Sequence, residues 1–148
     1  MRNIRLLSLL LLAALFTFSS CGDKDEDPKP KTNKELLSAK TWKVSRIKED
    51  GMDVTNEPAA AYWKNTRLKF NADGTYSSTT TGYSDTGIWE FANNEKRVVT
   101  DPNTDEEEGW DITELNESSM KIRTTAFYED EEGDVETALL EIDFVHAE

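Results

Sequence analysis

Leu68-Lys69-Phe70-Asn71-Ala72-Asp73-Gly74-Thr75-Tyr76 is the stretch that decides the fold. Leu68 and Phe70 stand two residues apart, the period that puts side chains on one face of a strand. Asn71-Ala72-Asp73-Gly74 is turn chemistry, with Gly74 free to take the positive φ of a short hairpin. The chain then re-enters a strand through Thr75–Thr81, rich in β-branched threonine, with Tyr76 as its strong inward candidate. Thr66–Phe70 against Thr75–Thr81 is therefore a β-hairpin with one apolar face.

The same grammar extends in both directions. Upstream, Thr41–Lys48 alternates Trp42 and Val44 against Lys43 and Ser45, and Ile47 falls out of step, which predicts a bulge. Downstream, Asp85–Phe91 pairs Trp89 with Phe91, and Asn93-Asn94 offers a left-handed turn into Arg97–Asp101. Gly109–Leu115 puts Trp110 and Ile112 on one face. Asn116-Glu117-Ser118 then turns into Ser119–Tyr128, where Met120, Ile122, Thr124 and Ala126 alternate. An acidic tip, Glu129–Asp134, leads to Val135–Val145, where Ala138, Leu140, Ile142 and Phe144 share a face. The expectation is an all-β domain: eight antiparallel strands in an up-and-down meander that closes as a barrel, which also removes sheet edges. Thr32-Asn33-Lys34-Glu35 can cap a short helical turn through Leu36-Leu37 before the first strand. The one long connection, Asp50–Asn65, contains Pro58-Ala59-Ala60-Ala61-Tyr62-Trp63, a short helix with Pro near its first turn. It is long enough to cover one end of a barrel.

Three motifs recur in order: Trp42 opening the first strand, Phe70-Asn71-Ala72-Asp73-Gly74-Thr75-Tyr76 as a hairpin, and Gly87-Ile88-Trp89 in the next strand. This set resembles the lipocalin-like domains of Bacteroidota-type bacterial lipoproteins, over roughly residues 34–145. The resemblance implies a lipocalin-like barrel more firmly than it implies a role.

The N-terminus carries its own message. Arg2 and Arg5 precede Leu6–Phe18, an apolar stretch of 13 residues. As a helix it would rise about 20 Å, short of the roughly 30 Å of a bilayer's hydrocarbon core, so it reads as a signal peptide rather than a span. Phe18-Ser19-Ser20-Cys21-Gly22 resembles the lipobox of lipoprotein signal peptidase substrates, with small residues before the cleavage point and a thiol to accept the lipid. The expected organisation is residues 1–20 as signal, 21–33 as a lipidated acidic and proline-bearing tether, and 34–148 as the barrel. Each acyl methylene buried contributes about 0.8 kcal/mol, so the diacylglyceryl and palmitate chains of a lipoprotein anchor it effectively for good. The run Asp23-Lys24-Asp25-Glu26-Asp27 resembles a surface-export signal and favours the outer face of the outer membrane.

Composition excludes several functions. Residues 1–20 hold two of the 17 basic residues and none of the 30 acidic ones, leaving a formal net charge of −15 for the rest. Nucleic acid is not an expected partner, because it requires a positive surface. Cys21 is the single cysteine and His146 the single histidine, so intrachain disulfides and Cys/His zinc sites are excluded. A nucleophilic triad would need His146, which lies near the terminus, where chains fray. Asp23, Asp25 and Asp27 have the spacing of a calcium loop, but Pro28 and Lys34 stand where Gly and Glu are needed; Asp101-Asn103-Asp105 fails likewise at Glu106 and Ile112. The chain is expected to be a monomer without enzymatic activity, cofactor or metal.

Two roles remain. In the first, the barrel binds an apolar or sugar-like small molecule, with Tyr62 and Trp63 on the long connection gating the mouth and Trp110 facing inward. In the second, the interior is filled, and the acidic clusters Asp105–Glu108 and Glu129–Glu132 present themselves to a protein partner.

Overall fold

The computed structural model describes residues 29–129 and 133–148. The signal, Cys21, the acidic run after it and the centre of the Glu129–Asp134 tip lie outside the described residues. Lys31–Glu148 form one compact unit. It contains helix α1 (Asn33–Ser38), strands β1 (Thr41–Glu49) and β2 (Met52–Asp53), and a 3-10 turn (Pro58–Ala60) that runs into α2 (Ala61–Lys64). Then follow β3 (Arg67–Phe70), β4 (Thr75–Thr80), β5 (Tyr83–Ala92), β6 (Arg97–Thr100), β7 (Glu108–Leu115), β8 (Ser119–Glu129) and β9 (Val135–His146).

Every strand pairs antiparallel with its neighbour, and β9 returns to pair with β1, so β1 and β3–β9 form a closed eight-stranded barrel. The two-residue β2, which the sequence reading left inside the long connection, adds to the upper half of β1 through Lys48↔Asp53 and Glu49↔Met52. The bulge expected near Ile47 lies between Val44 and Arg46, where the register against β9 shifts and Ser45 Oγ donates to the Asp143 carbonyl at 3.0 Å. Without that extra residue, Ile47 would point outward. With it, Trp42, Val44 and Ile47 are all buried.

The turns have the stereochemistry that their residues announced. Gly74 has φ +90°, and Asp73 Oδ1 accepts the Thr75 amide at 3.0 Å. Asn93, Asn94 and Glu95 are all left-handed. The Thr81-Gly82 turn is tighter than expected, with Gly82 at φ +78°, so β5 begins at Tyr83 rather than at Asp85.

One end of the barrel is sealed. Thr32 and Glu35 form a reciprocal capping box on α1, satisfying two amides that a short helix cannot satisfy itself. The helix packs against β3 and β7, which lie on opposite sides of the ring, and drives Leu37 fully into the core. Trp42 Nε1 donates to the Leu37 carbonyl at 2.8 Å, and Lys69 Nζ donates to the Ser38 carbonyl at 2.8 Å. Above this plug, Phe70 meets Trp89 edge to face, with ring centroids 5.5 Å apart.

His146 is not frayed. It ends β9 opposite Trp42, with its ring centroid 4.5 Å from the indole. Burial holds its imidazole below the usual histidine range, and Lys40 and Lys31 act in the same direction. Sheet pairing overrides the tendency of a terminus to fray, and the ring serves packing.

Closure is incomplete at one seam. The β7–β8 ladder stops at Asp111↔Arg123, while β8 continues with β9 to Glu129↔Val135. Past Arg123 no ladder pairing joins the two strands, and Thr124 Oγ1, donating to the Gly109 carbonyl at 3.4 Å, is the contact that follows. Phe127 on the β8–β9 hairpin is 72% exposed.

Candidate functional site

The end opposite α1 opens into a cavity of about 490 Å³. Its wall has two halves that follow the strand order. β1, β3, β8 and β9 contribute Val44, Leu68, Ile122, Ile142 and Phe144, all buried. β4 to β7, with the loop after β6, contribute Tyr76, Ser78, Asp85, Thr100, Asp101 and Glu108. This division follows from inward parity: the lower apolar positions are spent on the sealed core, and the upper inward positions of β4–β7 carry hydroxyls and carboxylates beside the indole of Trp110.

Tyr62, Trp63 and Trp110, which the sequence nominated from separate segments, all line this one cavity. Tyr62 and Trp63 lie on α2, their rings edge to face at 5.6 Å. The Tyr62 carbonyl accepts Thr80 Oγ1 at 2.9 Å, tying the long connection to β4 across the mouth. Trp110 is half-buried in the wall, its ring 6.4 Å from Phe70. A more open groove shares Trp63, Glu108, Trp110 and Thr124 with the cavity and continues toward Phe127 and Leu139. It follows the β7–β8 seam.

Tyr76, Asp85 and Asp101 form the polar centre of the wall. Tyr76 Oη lies 2.6 Å from Asp101 Oδ2 and 3.0 Å from Asp85 Oδ2. Burial, reinforced by these two carboxylates, pushes the Tyr76 phenol well above its ordinary range, so it remains a hydrogen-bond donor. Asp101 is held from behind: its Oδ1 accepts the Ile88 amide at 3.1 Å, and its backbone is left-handed at φ 46°. The side chain that began an apparent calcium loop therefore turns into the barrel. Among the described residues, no group of three His, Cys, Asp or Glu side chains is arranged to hold a metal ion.

Gly87 makes this arrangement possible. A β-carbon there would collide first with Asp101 Oδ1 and would also sit 2.7 Å from Tyr76 Cε1. The glycine of the Gly87-Ile88-Trp89 motif is the floor on which the Tyr76–Asp101 pair rests. Sequence reading identified Tyr76 and Gly87 as fold markers and did not see their partnership with Asp85 and Asp101. These residues meet only through the pairings Tyr76↔Gly87 and Ser78↔Asp85 and through the Asp101 amide's bond to the Ile88 carbonyl at 2.9 Å.

No family model and no curated protein matches the sequence. A solved structure does. The chain is similar to the crystal structure of a DUF4847 family protein from Bacteroides vulgatus, with TM-score 0.50 and 14% identity. The match covers 78% of this chain and 98% of that one. At that identity the likeness concerns the fold alone.

Proposed function

We propose that this protein is a lipid-anchored outer-membrane protein whose lipocalin-like barrel binds a small molecule non-covalently. The observation that carries the binding reading is the cavity itself. It is sealed below, open above, rimmed by Tyr62 and Trp63, and within the roughly 300–1,000 Å³ typical of small-molecule sites. A barrel acting only as a surface module would have no need of an open interior with carboxylates facing into it. The reading gives the lining residues binding roles alone.

Occupancy can be tested with N-phenyl-1-naphthylamine, a neutral apolar fluorophore. The native protein is expected to enhance its emission, and Ser78→Phe, which fills the cavity from β4, to weaken binding at least about tenfold with the melting temperature retained. Thr124→Phe fills it from β8 and serves if the first variant is unstable. Equal binding by native and filled proteins, or none by the native protein, would overturn the reading.

Anchoring rests on Cys21 and its lipobox-like setting. Palmitate labelling of cells should mark the native protein. Cys21→Ser should abolish the label and release the protein from the membrane fraction. Protease treatment of intact cells then reports whether the barrel faces outward, as the Asp23–Asp27 run suggests. Persistent labelling of Cys21→Ser would contradict the anchor.

A further inference from the structure

We infer that the cavity takes an amphipathic amine, its hydrocarbon against the apolar half-wall and its ammonium group between Asp85 and Asp101. This deepens the binding reading above and rests on it. The argument starts from the sidedness of the lining. Val44, Leu68, Ile122, Ile142 and Phe144 form a mainly apolar wall across β1, β3, β8 and β9, interrupted by Thr124 and edged by Thr66. The facing wall and rim carry Asp85, Asp101, Glu106 and Glu108, and among the described residues no lysine, arginine or histidine lines the cavity. A ligand that fits both walls has a hydrocarbon part and a positive, donor-bearing part.

Three alternatives fail against the same lining. A fatty acid would bring its carboxylate among four others, a like-charge arrangement that costs binding. A free sugar would leave hydroxyls against the apolar wall without partners, and an unpaired buried hydroxyl is costly. A plain hydrocarbon would strip water from Asp85 and Asp101 with nothing in return.

An ammonium group answers the chemistry of the polar wall. Tyr76 Oη has one proton and two carboxylate neighbours, at 2.6 and 3.0 Å, so it can donate to only one of them. Three N–H donors of a primary amine supply what the other lacks. The aromatic rings of Tyr62 and Trp63 at the rim, and of Trp110 in the wall, add attraction for a cation on its way in.

The experiment displaces the same neutral fluorophore with decylamine, decanol and decanoate, at physiological ionic strength to screen the protein's overall negative field. The expected order is decylamine tightest, decanol at least about tenfold weaker and decanoate weakest. In Asp85→Asn/Asp101→Asn the preference of decylamine over decanol should disappear while decanol binding is retained. The single variant Asp85→Asn, whose backbone contact is only with the neighbouring Thr86 amide, should lose part of it if the double variant proves unstable. Glu90→Gln/Glu148→Gln removes the same charge from exposed positions outside the cavity and should keep the preference. Equal displacement by decylamine and decanol, or a preference that survives in the Asn variants, overturns the amine assignment and leaves the binding reading standing. Failure of all three to displace, together with no native fluorophore binding, overturns both.

Discussion

Trp42→Ala is expected to cost about 4 kcal/mol of folding stability, a large share of the roughly 5–15 kcal/mol that holds a domain together. The indole is fully buried, sits where β3 and β9 both meet β1, and packs on His146. Its removal leaves a cavity at the sealed end and strips the buried Leu37 carbonyl of its donor. Urea unfolding, followed by circular dichroism so that the lost tryptophan does not bias the signal, should show a lower midpoint with an unchanged slope. Trp42→Phe keeps the ring but not the N–H and should recover part of the loss. A cost below about 1 kcal/mol for Trp42→Ala would mean that α1 does not seal the barrel through this residue.

Gly87→Ala should cost about 3 kcal/mol, an unusual penalty for adding one methyl group to a strand. The backbone is not the reason. The new methyl would occupy the space of the Asp101 carboxylate and the Tyr76 ring, forcing apart a charge-assisted hydrogen bond of 2.6 Å and the Asp101–Ile88 contact. Because Asp101 supplies the closest clash, the two sites should be coupled: Gly87→Ala should cost markedly less in an Asp101→Ala background. Additive losses in that double-mutant cycle would contradict the packing described. Decylamine displacement should suffer in Gly87→Ala, since the variant moves one of the two carboxylates.

Period-2 alternation located most of the barrel strands, because a one-residue slip would turn Leu68, Trp89 or Ile142 outward, whereas β6, with Val98, Val99 and Thr100 all buried, was placed by the Asn93-Asn94 turn before it. The Thr32–Glu35 cap and the Val44/Arg46 bulge were legible for the same reason: each is a local conflict that a few adjacent residues resolve. The polar wall was not. Tyr76, Asp85 and Asp101 come from two strands and a loop, and Asp101 looked like surface loop chemistry until its left-handed backbone turned it inward. Tyr83 was missed because Thr81-Gly82 closes a hairpin in two residues, a signal present in the sequence but shorter than the turn inferred there. Tyr62, Trp63 and Trp110 were nominated individually, and their convergence depends on the long connection being tied down by Thr80. Local patterns encode strands and caps, whereas a cavity wall is a property of register.

The parted seam between β7 and β8 bears on colloidal behaviour. Above Arg123, β8 presents backbone amides and carbonyls along an edge that β7 does not cover, beside the exposed Phe127. Such an edge is a template for strand addition from another copy. The tip that follows it, Glu129-Asp130-Glu131-Glu132-Gly133-Asp134, carries five carboxylates in six residues. Two copies approaching edge to edge would each carry that charge, and like charges disfavour the approach. That protection depends on charge and weakens with salt or acid.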